Sequence, residues 1–346
     1  MKNLETKRLI LRKYKEDDFH AVHQYVNCAE NLTYMTFGPN NEAQTRDHIR
    51  RVIAQENPNY DFVVTLKDTG QLIGGCSISP DGCEGEMGWI LHRDYWKQGY
   101  GAEFGQALLS FGFDELKLHR ITARCDAENY GSYRVMEKIG MRREGLFYDA
   151  RPAHKKSERE YSDELFYAIL KSEWETAKDI AYYNALPLEF NGFIDVPILT
   201  NGDIYNGNIY LVCTEKEPGD PEKNWIPCYI FAVCKNGEKI GDVSIRIGYG
   251  GGPKNDNLYY GGQVGYNIGE AHRGNGYALE ACKLLLPIAR AHKMSKLLIT
   301  NDYKNTASRR VCEKLSAKLV RLARLPEWND MYKDGQRFSN IFEWSI

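Results

Sequence analysis

What the chain lacks narrows its reading first. Neither sign of charge predominates: 45 lysines and arginines stand against 47 aspartates and glutamates, for a formal net charge of −2. Such a balance gives no basic footprint for nucleic acid, so any preference for a charged ligand has to be local. No run reaches the roughly 18 consecutive apolar residues that suggest a membrane-spanning helix. The opening MKNLETKRLILRKYKEDD is charged throughout and has no apolar stretch followed by a small-residue cleavage site. The expectation is a soluble, cytoplasmic protein with no membrane and no nucleic-acid partner. Nine cysteines, Cys28, Cys76, Cys83, Cys125, Cys213, Cys228, Cys234, Cys282 and Cys312, include no CxxC pair and mostly sit in apolar runs. That suits reduced thiols better than a disulfide framework. The eight histidines include no HExxH and none joins a cysteine or carboxylate at zinc-like spacing, so no metal site is expected.

A length of 346 residues is about twice the roughly 100 to 200 of a single domain, and two domains are expected. RLILRKY, at Arg8 to Tyr14, alternates like a strand and leads into KEDDFHAVHQYVN, an amphipathic helix opened by acidic residues. NEAQTRDHIRRVIAQE follows as a second helix, with Asn41 as its cap. DFVVTLK and LIGGCSIS form a hairpin through DTGQ, and Gly85 to His92 adds a third strand. GAEFGQALLSFGFDELK is helical in period, HRITARCD is a strand, and NYGSYRVMEKIG is a helix ended by Gly140 in a left-handed stop. MRREGLFY and DELFYAILK close the half as strands. This order predicts a mixed α/β layer rather than a doubly wound dinucleotide fold. SEWETAKDIAYYNAL then reads as helix, and Pro187, Gly192 and Pro197 mark a boundary region.

The second half repeats the first. KDTGQLIGGCSI matches KNGEKIGDVSI at a displacement of 167 residues, and Glu86-Met-Gly-Trp matches Gln263-Val-Gly-Tyr at 177, ungapped through Gly99 against Gly276. The ten extra residues fall in GYGGGPKNDNLYYGG, a loop by composition. Asn129 matches Asn305 and Lys138 matches Lys314 at 176. Register held across strand, loop, helix and strand is a repeat of one unit. The second copy has only a short strand and the EPGDPEKN loop where the first has its two early helices.

Both copies place closely spaced glycines before a helix: Trp96-Lys97-Gln98-Gly99-Tyr100-Gly101-Ala102, and Arg273-Gly274-Asn275-Gly276-Tyr277-Ala278. Glycines at this spacing let several amides point into one concavity at the positive end of a helix dipole, a natural seat for a phosphate or pyrophosphate. A glycine-eased turn that binds nothing is the alternative, and two copies in one context favour the anion site. The absence of a following GK[ST] excludes a Walker loop, and the preceding meander excludes the GxGxxG dinucleotide turn.

With these residues in place, the chain resembles the GNAT superfamily of acetyl-CoA-dependent N-acetyltransferases. The superfamily's Q/R-x-x-G-x-G/A signature is met in full from Arg273 to Ala278, and at all but the first position from Trp96 to Gly101. YWxxGYGxE, the Asn129-x-x-Ser132 pair, EKIGM and DELFYAILKSEW resemble the branch that includes ribosomal-protein N-terminal-alanine acetyltransferases; YLVCTEKEPGDPEKNW, SRRVCEKL and LPEWNDMY resemble another GNAT group. The resemblance implies two tandem GNAT folds, each a mixed, mostly antiparallel sheet flanked by helices. It implies a first domain over 1–176, a helical linker over 177–194, and a second domain over 195–346 with reduced N-terminal helices.

It also implies acetyl-CoA as cofactor and an amine acceptor, either a protein N-terminus or a small molecule, with a homodimer left open. The diphosphate of coenzyme A would lie on the amides of Gln98, Gly99, Tyr100, Gly101 and Ala102, or on those of Arg273, Gly274, Asn275, Gly276, Tyr277 and Ala278. The pantetheine arm would pair along Trp89, Ile90 and Leu91, or Tyr266, Asn267 and Ile268, where family members splay two parallel strands. Asn129 with Ser132, and Asn305 with Ser308, would meet the cofactor beyond the split, although both asparagines also read as helix N-caps.

Acetyl transfer needs a neutral amine and a proton for the departing thiolate. Glu86 is the candidate general base of the first copy, working through water, or else an outward carboxylate on an alternating strand; Glu84 and Asp81 are substitutes. Gln263 takes its place in the second copy and cannot accept a proton, leaving Asp242 as a weak substitute. The family's tyrosine acid, seven residues after the asparagine, is replaced by Met136 and Cys312. Ser132 or water would serve the first copy. Cys312 is either a donor or a packing cysteine. Tyr249, Tyr259, Tyr260 and Tyr266 line a substrate cleft or are ordinary strand aromatics. An α-amine of pKa about 7.7 is far more often neutral at pH 7 than a lysine at about 10.4, so a site short of acid-base groups favours a low-pKa amine. The alternative reading is an acetyl-CoA-binding sensor in which one copy has lost turnover.

Overall fold

The computed structural model describes residues 2–54, 59–153, 158–186, 190–196, 198–200, 209–220, 225–248 and 256–346. Pro187, Pro197, Tyr249, part of the expected insertion and part of EPGDPEKN lie outside the described residues. The chain forms two compact units, Met1–Trp174 and Glu175–Ile346.

Unit 1 runs β1 (Leu4–Glu5), β2 (Leu9–Arg12), α1 (Phe19–Val26), α2 (Glu42–Ala54), β3 (Tyr60–Leu66), β4 (Leu72–Asp81), β5 (Glu84–Leu91), α3 (Tyr100–Ser110), β6 (Arg120–Asp126), α4 (Tyr130–Lys138), β7 (Arg142–Pro152) and β8 (Tyr161–Leu170). All strands join one sheet in the order β1-β2-β3-β4-β5-β6-β8-β7. β5 and β6 are its parallel pair, and their ladder runs from Glu84–Arg120 to Met87–Ala123. The period of two in β2 sends Leu9 and Leu11 wholly into the core. α2 opens on a reciprocal cap: the Gln44 amide donates to Asn41 Oδ1, and the Asn41 amide to Gln44 Oε1, both at 2.9 Å. Gly140, at φ +91°, ends the turn after α4 as read from sequence.

α5 (Lys171–Asn184) begins in unit 1, where Trp174 packs on Phe113 at 5.2 Å between ring centroids. Its later residues belong to unit 2. Arg321 pairs with Glu175 and with Asp179, the latter at 2.8 Å, and Tyr183 is buried with its hydroxyl on Glu343 at 2.8 Å. The stretch read as a linker is therefore packed into the second unit from its first turns, because one face of the helix is apolar and carries acids for Arg321.

Unit 2 continues with β9 (Leu199–Thr200), β10 (Tyr210–Glu217), β11 (Cys228–Lys235), β12 (Glu238–Arg246), α6 (Asp256–Gly261), β13 (Val264–Ile268), α7 (Tyr277–Leu284), α8 (Leu286–Ala291), β14 (Lys296–Asp302), α9 (Thr306–Lys314), β15 (Lys318–Arg324), α10 (Asp330–Lys333) and β16 (Phe338–Ser345). Among the described residues no helix separates β10 from β11. The strands form two antiparallel sheets, β13-β12-β11-β10-β9 and β14-β16-β15. A shared core holds both against α7, with Phe231, Leu285, Leu297 and Ile299 fully buried. Ser316 takes the left-handed position of Gly140 at φ +59°, a strain of about 1 kcal/mol. Tyr259 and Tyr260 are neither cleft nor strand residues: they sit on α6, buried beside Tyr183.

Candidate active site

In unit 1, β5 and β6 part after Met87 and Ala123, so Gly88 to Leu91 have no strand partner on the β6 side. The parting is the mouth of a cleft of about 940 Å³. One wall is Trp89, Ile90 and Leu91. A second is the glycine turn with Gly99, Tyr100, Gly101 and Ala102, and a third is the start of α4 with Asn129 and Ser132. The loop from Glu30 to Met35 faces them together with Arg124, Cys125, Asp126 and Arg151.

The turn has an unusual backbone. Lys97 at φ +61° and Gly99 at +83° both lie in the left-handed region, which a lysine enters only at a cost of about 1 kcal/mol. The first backbone bond of α3 runs from Glu103 N to Gly99 O, so the amides of Tyr100, Gly101 and Ala102 have no carbonyl in the preceding turn. Unit 2 repeats the path: Gly274 lies at +81°, Gly276 at +80°, and the first bond of α7 runs from Glu280 to Gly276. The residue before the turn pins it to the strand in both units, Trp96 Nε1 donating to Leu91 O at 2.7 Å and Arg273 Nε to Ile268 O at 2.9 Å. Tryptophan thus makes in unit 1 the bond that Arg273 makes in unit 2.

Sequence reasoning missed Arg8, because only folding brings it to the turn. It donates to Gln98 O at 3.1 Å, pairs with Glu103 at 2.6 Å, and lies 4.3 Å over the Tyr100 ring. Gln98 does not line the cleft; its amide donates to Asp94 O. Gly101 lines it, but what requires a glycine there is packing: a Cβ would meet Val135 Cγ2 at 2.8 Å.

Asn129 caps α4, its Oδ1 accepting from Ser132 N at 3.1 Å, and Asn305 caps α9 the same way from Ser308 N at 3.0 Å. The cap uses one lone pair, so the rest of the Asn129 amide stays at the cleft wall. Ser132 is half-buried in that wall beside Cys125, whose thiol burial pushes up to about 12 and so keeps protonated. Glu86 is half-exposed and pairs with Arg124 at 3.5 Å. Met87 and Gly88 line the cleft, but Glu86 itself does not, so it has access only through water.

Unit 2 departs at the matching positions. Gln263 is fully buried, its Oε1 accepting from the Leu298 amide and its Nε2 donating to Gly248 O, while its own amide donates to Leu298 O at 2.7 Å. It stitches the two sheets where unit 1 has a parallel ladder. Tyr266 is half-buried with its hydroxyl 2.8 Å from Ser308 Oγ, Asn267 is exposed, and Ile268 is buried. Tyr277 takes a hydrogen bond from Lys235. Cys312 corrects an expectation: it is fully buried, accepts from Asn301 Nδ2 at 3.6 Å, and burial pushes its thiol up to about 12. A thiol with no exposed surface packs the core. Met136, its counterpart, is equally buried.

The model of the acetyltransferase (GNAT) domain family matches residues 8–142 and again 214–318. The chain belongs to the GNAT acetyltransferase family. Two further likenesses are with single units. The uncharacterized N-acetyltransferase YnaD of Bacillus subtilis (strain 168) is 38% identical over 175 residues, covering 50% of this chain and 99% of its own. The uncharacterized N-acetyltransferase p20 of Bacillus licheniformis is 31% identical over 180 residues, again 50% of this chain and 99% of its own. Among solved structures, the GNAT-family acetyltransferase from Bacillus anthracis is 39% identical, covers 49% of this chain and 99% of its own, and has a TM-score of 0.45. The two separate matches of the family model make this GNAT chain a tandem.

The residues of unit 1 fit the thioester carrier of the family. Unpartnered amides at the mouth of α3 suit a diphosphate, and the unpaired edge of Gly88 to Leu91 suits an amide-bearing arm that binds as a strand does. Among the described residues, no helix is long and apolar enough to cross a membrane.

Proposed function

We propose that unit 1 is an N-acetyltransferase site moving acetyl from acetyl-CoA to a primary amine, an α-amine of a protein N-terminus or of a small molecule. What supports this most is the continuity of one cleft from the glycine turn, along the free β5 edge, to the Glu30–Met35 loop. Acetyl-CoA supplies an activated carbonyl and a good leaving group. The chain's residues then have three tasks. The turn and Arg8 hold the carrier's diphosphate end, and the β5 edge aligns the thioester. Glu86, through a water, takes the proton lost by the attacking nitrogen as the C–N bond forms. The sulfur takes its proton from water as the C–S bond breaks, with the Ser132 hydroxyl passing the proton on and regaining one from that water. With so few strong acid-base groups at hand, an amine already neutral near pH 7 is the better acceptor, which agrees with the likeness to the N-terminal acetylating branch.

For unit 2 we propose binding of the same carrier without comparable turnover. Gln263 is committed to the sheet junction and Cys312 to the core, so neither serves the reaction, while the Gly274–Gly276 turn keeps its shape.

Thiol release by the full chain, with acetyl-CoA and a panel of free-N-terminus peptides, polyamines and aminoglycosides, tests both statements. Calorimetry with coenzyme A should find two sites per chain. Gly99→Val should abolish thiol release, because a β-branched residue is strained at +83°. Gly276→Val should remove one bound equivalent. Thiol release that survives Gly99→Val and is lost in Gly276→Val would reverse the assignment of the units.

A further inference from the structure

Arg151 is the feature of unit 1 that acetyl transfer leaves unexplained. It lies on β7 opposite Ser162 of β8, and its side chain lines the cleft at the end formed by the Glu30–Met35 loop. Nη2 donates to Tyr34 O at 3.0 Å. Nε is buried and has no hydrogen-bond partner, and among the described residues it is the one buried side-chain nitrogen or oxygen in that condition.

The other arginines of the cleft are neutralised. Arg124 pairs with Glu86 at 3.5 Å and Arg134 with Glu137 at 2.9 Å. Nearby acids are committed elsewhere. Glu30 pairs with Arg93, and Asp126 accepts from Ser162 Oγ at 2.6 Å and from the Glu128 amide at 2.9 Å. No carboxylate among the described residues pairs with Arg151. A buried donor on a charged group left without an acceptor is costly, about 1–3 kcal/mol or more. Such a guanidinium keeps a donor unspent, and planar or tetrahedral oxyanions are the acceptors that match it. Its hydrogen-bond partner among the described residues is Tyr34 O, not a residue of the glycine turn that suits the diphosphate.

We infer that Arg151 receives an anionic oxygen group of the acceptor, a carboxylate or a phosphate, so that the favoured substrate is an amine that also carries such a group. This rests on the acetyl-transfer reading of unit 1 and adds the acceptor's charge to it. A guanidinium held by Tyr34 O on one edge and an acceptor's oxyanion on the other would fix the amine relative to the β5 edge.

The test compares paired acceptors that share an α-amine and differ in the anion: glutamic acid α-amide against glutaminamide, and O-phosphoserine amide against serinamide. In the full-length wild-type chain, the anionic member of at least one pair should exceed its neutral partner by about 30-fold in kcat/KM, mainly through KM, the size expected of a charge-assisted hydrogen bond. Arg151→Gln should collapse that ratio towards one, and Arg151→Lys should restore part of it. The pair that responds tells carboxylate from phosphate. A wild-type ratio near one in both pairs would overturn the inference. So would an Arg151→Gln variant that lowers both members of a pair equally, or one that weakens acetyl-CoA binding by calorimetry with the ratio unchanged. If no amine is acetylated, the transferase reading fails by itself. Calorimetry of glutamic acid α-amide and O-phosphoserine amide on coenzyme A-loaded protein then decides the arginine: binding lost in Arg151→Gln supports it, and no binding of either to wild type overturns it.

Discussion

Glu86 and Gln263 occupy one position in two copies of a unit and have opposite fates. Glu86 is half in solvent, paired with Arg124 on a continuous eight-stranded sheet. Gln263 is fully buried and ties two separate sheets together through both atoms of its side-chain amide. Once β13 and β14 lose their ladder, a backbone amide and a carbonyl need partners, and a neutral amide supplies a donor and an acceptor at one place. A carboxylate there would supply no donor and bring a buried charge. The change therefore exchanges an ionisable side chain for a structural gain. The glycine turns teach the converse, since Trp96 and Arg273, Lys97 and Gly274 differ in kind and yet the backbone follows one path.

The contrast at this position can be broken by mutation. Glu86→Gln should lower the rate of acetyl transfer about 100-fold, the scale of general-base catalysis, with coenzyme A affinity retained in calorimetry. A rate profile identical to wild type across pH 6 to 9 would remove Glu86 from the reaction. Gln263→Leu should instead destabilise unit 2 by about 2–4 kcal/mol, because the Leu298 amide and Gly248 carbonyl are left buried without partners. Hydrogen exchange localised to β13 and β14 reads this, and protection equal to wild type would deny the stitch its role.

A smaller effect sharpens the comparison of helix packing. Unit 2 has Ala278 and Val311 where unit 1 has Gly101 and Val135. Gly101→Ala should cost unit 1 about 1 kcal/mol through its contact with Val135, and Val135→Ala in the same chain should recover most of it in chemical denaturation. The smallest effect is a pH dependence carried by unit 2. His292 is buried with Nε2 2.9 Å from Tyr229 Oη, and burial lowers its pKa below the ordinary 6.5. The unfolded chain then binds the proton more readily, so this contribution to stability is complete above about pH 6.5 and declines as pH falls below it. The protection of β11 amides, with exchange corrected for the pH dependence of its intrinsic rate, should fall on acidification below that value, and His292→Gln should flatten the trend.

Much of the fold was legible because its signals are local. The Asn41 cap, the period of two in β2, the stop at Gly140 and the doubled turn each lie within a few residues. The lining of the cleft was legible where it comes from those same stretches, at Gly99, Trp89 and Asn129. It was not legible where distant residues meet. Arg8 reaches Glu103 across 95 positions and Arg151 reaches Tyr34 across 117, and no spacing rule links such partners. Cys312 stayed open between donor and packing cysteine for a related reason: a helix pattern fixes a residue's face, and only the packing against that face buries it.

By itself the sequence determined that one unit is used twice, that each copy turns through left-handed backbone into a helix, and which side chains stand at each position of the repeat. Those properties follow from short-range sterics and hydrogen bonding, which a stretch of chain carries with it wherever it goes. Only the tertiary structure decided that Gln263 closes a gap between sheets, that Cys312 is sealed in, and that Arg151 faces the cleft with a donor unspent. Burial and partner choice depend on which remote segments arrive beside a residue, and that is a property of the whole fold.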